Sequence, residues 1–472
     1  MKICIISEGS YPIVRGGVSE WTRQLIKELH FVDFDIFCLA PTGQETWLAE
    51  YEKPSNVKSV TIRGLASQRP LARKSSVLPK AISAELAVCM ASVLNGTHID
   101  CERLLSVVKS DDPIYKAWLT SKEYWDFLVN FYEAKWGDSD FSEYFWAANG
   151  IFSSILDTAT LARQVPNADI YHALTTGSSG FIGCLAKVMH KRPFVVSEHG
   201  LYMKERVLDL AKQDITPSVK NQILNYYKSL VMTCYEQADL LIPVCQDHAS
   251  KEVELGVDPE KIRVVINGID SDKFTPTINK EPGTPIVGCF ARVVPVKDQM
   301  TLLRAGKYIL GEHNADFIFA GEIQDEDYYK ECQALVKDLG IGKNIKFIGH
   351  SYNMLDLYRQ ADIFVLSSQS EGVPLALLEA MSCGLPSVCT SVGGVPEILA
   401  DSVTGFLVQR GDVENMSAKI LTLLNDEKLR KKMGSKAREL VIENYTIGEM
   451  SQKILDIYNE LNTKETGSNG RS

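Results

Sequence analysis

Short apolar runs alternate with helix-period segments along most of the chain. The run KICIIS reads as a strand, the loop EGSYPIVRGGV follows it, and Trp21, Leu25 and Leu29 then recur at helical spacing. Further strands are expected at 34–39, 57–62, 168–172, 193–197, 240–244 and 262–266, with helices between them. After the polar, Pro/Gly-containing stretch TPTINKEPGTP a second series begins, with strands expected at 286–290, 316–320, 345–348, 362–366, 387–390 and 405–408. Helix-period segments at 299–310 and 328–339 lie between members of this series.

Apolar strands that alternate with helices form parallel sheets covered on both faces, so the pattern predicts an α/β chain of two Rossmann-like domains joined near residue 280. Ligands of such sheets lie at the carboxyl ends of the strands, and a cleft between the domains is the expected site. Residues 66 to about 165 interrupt the first series with a largely helical insert holding Trp118, Trp125, Trp136 and Trp146, four of the six tryptophans. Its aromatic run WDFLVNFYEAKW fits a packed core, a sugar-stacking surface or a docking surface. The final segment TKETGSNGRS is polar and rich in Gly and Ser, which predicts a disordered tail over 463–472.

At 472 residues and 45% hydrophobic content the chain can fill two large cores. It has no long uninterrupted apolar span and its N-terminus lacks a secretory pattern, which reads as a soluble cytoplasmic protein. Eleven cysteines without CxxC pairing, most in apolar runs, fit small core residues in a reducing compartment. A formal net charge of −10 argues against nonspecific nucleic-acid binding, so an anionic ligand must be met by a few local cations.

Candidate chemistry gathers at strand ends. In SEGVPLALLEAMSCGLP, Pro374 suits a first helical turn, which places Glu371 on the loop after strand 362–366 and Glu379 inside the next helix. A loop carboxylate can orient polar groups near a reacting centre, and a helical one can accept two hydrogen bonds from a ribose diol. Two acids near a helix N-terminus also fit a simple response to its dipole. Strand 286–290 runs into ARVVPVKD, which puts Arg292 and Lys297 where a planar fork and a compact charge can grip a diphosphate. Gly393 and Gly394 in TSVGGVPEIL, and Gly16 and Gly17 in RGGV, precede helices and allow close backbone approach, although glycine pairs also mark ordinary turns. DxD-like strings at Asp138–Asp140, Asp270–Asp272 and Asp325–Asp327 are common by chance in an acidic chain.

The ordered series RGG, NGID, ARVVPVK, FIGH, SEGVPLALLE and GGVPE resembles the retaining family 4 glycosyltransferases of GT-B fold. More narrowly, EGSYPIVRGGVSEW with SEHGLYMKERVLDL resembles the glycosyltransferases of Pel exopolysaccharide systems. The resemblance implies a GT-B enzyme with an acceptor-side domain over 1–277, a nucleotide-sugar domain over 285–445, and a helix over 446–462 returning toward the first domain. It implies that Arg292 and Lys297 bind the donor diphosphate, Glu379 the ribose and Glu371 the sugar hydroxyls near the reaction centre. Gly16, Gly17, Gly393 and Gly394 would approach the donor, and the backbone of 347–350 would border the base. His199 in SEHGLY would stand near the sugar, with Glu205 and Arg206 on the acceptor side, where they equally fit a capped and solvated helix.

The reaction so implied moves a hexosyl unit from a UDP-sugar, UDP-glucose or a relative, to a saccharide hydroxyl with retention. No metal or other cofactor is expected, because cations and helix N-termini can stabilise a leaving diphosphate. A membrane-bound polysaccharide synthase complex is the implied protein partner, holding the enzyme peripherally at the inner face of the membrane. A GT-B nucleotide-sugar epimerase and a noncatalytic polysaccharide-assembly module are the alternative readings.

Overall fold

The computed structural model describes residues 1–41, 52–64, 79–108, 117–137, 139–277, 283–351 and 353–468. The chain forms two compact units. One contains Met1–Pro243, Glu252–Arg263 and the chain from Leu455, and the other contains Val244–Lys251 and Val264–Ile454. The passage between them at Arg263/Val264 precedes the stretch TPTINKEPGTP, which belongs to the second unit as far as it is described.

The first unit holds a sheet of β1 (Lys2–Glu8), β2 (Asp33–Ala40), β3 (Val57–Gly64), β4 (Ile170–Ala173), β5 (Phe194–Glu198) and β6 (Leu240–Pro243) in the order β3-β2-β1-β4-β5-β6. The second holds β7 (Ile286–Phe290), β8 (Asp316–Ala320), β9 (Ile345–Gly349), β10 (Ile363–Leu366), β11 (Ser387–Thr390) and β12 (Gly405–Val408) in the order β12-β11-β10-β7-β8-β9. Every strand pair is parallel. All the loops that follow the strands of a sheet therefore leave from one edge. Strand order reverses between β1 and β4 in one sheet and between β7 and β10 in the other, and such reversals open a crevice at the carboxyl edge.

Side-chain alternation explains the central strands. Ile363 and Val365 enter one apolar cluster with Val287, Cys289 and Leu302, while Phe364 and Leu366 enter another with Phe290, Leu377 and Met381. Strands buried on both faces read as the continuous apolar runs seen here. The expected strand at 262–266 does not form. Ile262 makes a single bridge to Leu241, and the chain leaves the first unit one residue later.

The described part of the insert is helical, with helices Lys80–Asn95, Cys101–Val107, Lys122–Lys135 and Phe141–Ala162. Its aromatic run lies along the edge of the core, with Leu128 buried, Phe127, Phe131, Tyr132 and Trp136 half-buried against the core, and Trp125 exposed. Trp118 is buried and donates its indole N–H to Ser83 Oγ at 2.9 Å, with Tyr124 and Phe152 rings against it. Trp125 and Trp146 remain 49% and 67% exposed. All eleven cysteines are buried free thiols. Among the described residues no helix is long and apolar enough to cross a membrane. The last helix, Ile447–Ser468, runs through six of the ten residues expected to be a disordered tail, and residues 469–472 lie outside the described residues. That helix buries Ile454, Ile457, Tyr458 and Leu461 at helical spacing, which anchors its N-terminal half.

Candidate functional site

In the second unit the chemistry collects at the strand-order reversal. The loop after β7 carries Arg292 and Lys297, and the loop after β10 carries Glu371. Lys297 Nζ lies 2.6 and 2.8 Å from the two Glu371 oxygens, and Ser368 donates its hydroxyl to Oε1 at 2.5 Å. The Lys297 and Glu371 side chains are only 16% and 7% exposed. Two nearly buried charges are tolerable because each is paired and hydrogen-bonded.

The two loops are pinned together. Gln369 N donates to Val296 O at 2.8 Å, and Ser367 Oγ donates to Asp298 O at 2.8 Å. Asp298 has left-handed backbone geometry, φ 45°, yet it caps helix Gln299–Glu312 and accepts the Thr301 hydroxyl at 2.7 Å. Strain at that residue costs on the order of 1 kcal/mol, and the cap offsets about as much.

Gly393 sits at φ 54°, and a Cβ there would come within 1.8 Å of Glu371 O. Gly394 N donates to Gly372 O at 2.9 Å. This glycine pair lets the loop after β11 lie directly on the backbone of Glu371. The helix beyond it, Val395–Ile398, is one turn, so Gly393 and Gly394 contribute close approach and not a long helix dipole.

Glu379 lies in helix Leu375–Ser382, one residue beyond whose N-cap, Pro374, the first turn begins. The buried Tyr358 hydroxyl donates to Glu379 Oε2 at 2.6 Å. Burial, followed by the neighbouring Glu379 charge, holds the Tyr358 phenol far above its ordinary range, so it remains a donor. Arg292 is exposed and its guanidinium donates to Gln324 Oε1 at 2.7 Å, while its carbonyl accepts from Gln299. Phe347 stacks on Phe319 at 4.6 Å between centroids, and Gly349 O accepts from Gly321 N at 2.8 Å, which fixes the backbone of 347–350.

The first unit brings a second group to its own reversal. Glu8 ends β1, and Ser179 N at the start of helix Ser178–His190 donates to its Oε2 at 3.3 Å. A Cβ on Gly177 would meet Glu8 Oε2 and the Tyr202 ring at 2.8 Å each. Burial pushes the Glu8 carboxyl up, partly countered by hydrogen bonds from Ser179 and Ser178. His199 follows β5 and packs edge-on against Trp21, 4.6 Å between centroids. Its neighbour His172 accepts or donates at both ring nitrogens, to Tyr458 Oη at 2.6 Å and Ser197 Oγ at 2.7 Å, and burial lowers it to about 3. Glu205 folds back over Gly200, where a Cβ would lie 2.1 Å from its Oε1. Arg206 lies over the Tyr202 ring at 5.3 Å and pairs with Asp209 at 2.9 Å. Gly16, at φ 156°, and Gly17 form the exposed N-terminus of helix Gly17–Glu28.

The acidic strings have local duties. Asp270 accepts from Lys273 N, Asp325 caps helix Glu326–Leu339, and Asp327 pairs with Lys330 at 2.8 Å. Asp138 lies outside the described residues. Sequence reading missed Tyr358, Ser368, Glu8 and Tyr202. For Glu8 the available signal was a carboxylate ending the first apolar run.

Residues 1–260, more than half of the chain, match the model of a family described as Domain of unknown function (DUF3492), and residues 270–440 match Glycosyl transferases group 1. The chain belongs to the DUF3492 family and carries a group 1 glycosyltransferase domain. The chain is 29% identical over 308 residues to the N-acetyl-alpha-D-glucosaminyl L-malate synthase of Bacillus anthracis, covering 62% of this chain and 74% of that one. It is 30% identical over 234 residues to the UDP-Gal:alpha-D-GlcNAc-diphosphoundecaprenol alpha-1,3-galactosyltransferase of Escherichia coli, covering 46% and 59%. Among solved structures, Anabaena HepE in complex with UDP-glucose matches 98% of this glycosyltransferase and 100% of that chain, with a TM-score of 0.65 at 17% identity. That likeness identifies the GT-B fold.

Proposed function

We propose that this glycosyltransferase is a retaining hexosyltransferase that moves a hexosyl unit from UDP-glucose or a related UDP-hexose to a saccharide hydroxyl in exopolysaccharide biosynthesis. The observation that carries the reading is the Lys297–Glu371 pair, closed at 2.6 Å across the β7/β10 reversal. A cation and a carboxylate fixed side by side there suit the two ends of one donor, its diphosphate and its sugar.

Lys297 and Arg292 hold the diphosphate and stabilise the charge that grows on it as the glycosidic bond breaks. Preorganised contacts of this kind act in the transition state without reorganisation cost. Glu371 orients the sugar hydroxyls and supports an oxocarbenium-like centre, the charge pattern also seen in glycoside hydrolysis. The leaving phosphate oxygen takes the acceptor proton on the face it vacates, which gives retention. Glu379, steadied by Tyr358, holds the ribose, and Gly393 and Gly394 let the backbone approach the donor closely. Gly16 and Gly17 are assigned to the donor phosphate by the resemblance that RGGV carries. His199 stands near the sugar, and on the acceptor side Glu205 and Arg206 are joined by Glu8 and Tyr202. No metal or other cofactor takes part, since Arg292, Lys297 and backbone amides meet the anionic charge.

A uridine nucleotide in the donor draws support from HepE, solved in complex with UDP-glucose, and from the E. coli UDP-Gal galactosyltransferase. The Pel-like segments support an exopolysaccharide role at the inner face of the membrane, with a membrane-bound synthase as partner. A thermal-shift panel of UDP, GDP, ADP and their hexoses tests the donor, because a ligand of the native state raises apparent stability. UDP and a UDP-hexose should raise the midpoint most. A shift confined to GDP or ADP compounds contradicts the donor assignment.

A further inference from the structure

Two carboxyl groups meet inside the first unit in a way the proposed reaction does not use. Glu198, the last residue of β5, is 1% exposed and Glu252, in helix Gln246–Glu254, is fully buried. Glu198 accepts the Thr176 hydroxyl at 2.9 Å on Oε1 and the Tyr235 hydroxyl at 2.8 Å on Oε2. Both oxygens of Glu252 are buried and receive no hydrogen bond from any described donor. A buried carboxylate left so is costly, whereas a carboxylic acid in the same place becomes a donor. The acceptor facing it is Glu198, which already has the two donors an ionised carboxylate wants.

We propose that Glu252 is a positioning residue for the strand end that carries His199. It stands in the fold as a neutral acid, donates its proton to Glu198, and thereby fixes the turn through Glu198, His199 and Gly200. The proposal rests on the placement of His199 in the site described above. Burial, then the Glu198 charge, pushes Glu252 up to about 9, and burial also raises Glu198. The groups facing the pair from packed elements are Tyr235 on helix Pro217–Gln237, Thr176 after β4, and Glu205 on helix Tyr202–Ala211, whose charge also raises Glu198. His248 lies one turn earlier on the helix of Glu252. Tyr235, Thr176 and Glu205 supply no cation, which favours the pair keeping its proton.

The sign of the linkage follows. Folding takes up a proton at Glu252, whose affinity is raised above its unfolded value. The associated stability is full below the unfolded carboxyl range and is lost as pH rises toward about 9. The test compares the full-length wild type with E252Q by urea unfolding from pH 5.5 to 9.5, together with pH profiles of UDP release. The folding equilibrium of the wild type relative to E252Q should fall by up to about tenfold per pH unit, and should level off near pH 9. Turnover of the wild type should show an alkaline limb near that pH. E252Q, whose amide donates at every pH, should lack the limb, and E252A should be slow throughout.

A pH-independent stability difference, or an alkaline limb that survives in E252Q, overturns the proposal. If E252Q does not fold, E198Q carries the test, because removing the ionised partner must shrink the pH range of the linkage. The unfolding measurement needs no transfer activity. A wild type with the linkage and no transfer therefore contradicts the assigned reaction and not the acid pair.

Discussion

Lys297 and Glu371 face each other across the one place in the second sheet where strand order reverses, with Nζ 2.6 Å from Oε1. Seventy-four positions separate them in sequence. The parallel topology brings them together, because the loops after β7 and β10 leave adjacent strands from the same edge. Their mutual burial gives the pair a structural role beside the chemical one proposed for it.

That dual role predicts a nonadditive pattern. Lys297→Ala strands a nearly buried carboxylate and should destabilise the fold by about 3 kcal/mol. Removing Glu371 as well should recover at least half of that loss in denaturant titrations, because no charge is then left without a partner. Turnover should not recover. Both K297A and the double variant should be slower by about a hundredfold or more, the cost of about 3 kcal/mol in the transition state. Additive stability losses would show that the pair is not coupled.

Tyr358→Phe removes the donor to Glu379 and leaves the apolar packing of the ring in place. A hydrogen bond to a charged group contributes about 1.5–3 kcal/mol, so UDP binding should weaken by about tenfold as the carboxylate loses its orientation. Glu379→Ala should weaken UDP binding at least as much. Calorimetric titration with UDP alone measures both, and unchanged affinity in E379A removes the ribose assignment.

Gly393→Ala should be far more damaging than Gly340→Ala. Both residues have positive φ, 54° and 67°, but a Cβ on Gly340 meets open space while one on Gly393 would collide with Glu371 O. The Gly340 change should cost about 1 kcal/mol in stability. The Gly393 change should cost at least about 2 kcal/mol and also lower turnover, because it displaces the loop of Glu371. Equal effects in both assays would separate Gly393 from the site.

His172 should make the first unit sensitive to acid. Its folded value, about 3, lies below the ordinary histidine range because burial disfavours the charged ring. The unfolded chain therefore binds a proton that the fold refuses. Stability should rise with pH from about 3 to about 6.5, by up to about 1.4 kcal/mol per unit. Substituting His172 by Asn should flatten that slope in pH-dependent unfolding.

Much of the fold was legible because buried parallel strands are simple signals. The runs CIIS, IFVL and SVCT are apolar enough to leave few other readings. The run at 262–266 carries the same signal and fails as a strand because the chain changes unit there, which local composition does not encode. Glu371 and Lys297 were visible as charged residues on strand-end loops, but their direct pairing depends on strand order. Tyr358 and Glu252 were hidden for a similar reason. A tyrosine and a glutamate within helices look ordinary until the packing that buries them is known.

The central claim is retaining transfer from a UDP-hexose at the Lys297–Glu371 site, and proton NMR of a running reaction tests it most directly. Wild-type enzyme, UDP-glucose, a saccharide acceptor and excess EDTA should yield free UDP together with a new α-anomeric signal. The same mixture with K297A should yield almost none. A β-anomeric product, a strict need for added metal, or an isomerised nucleotide sugar formed without acceptor would contradict the account.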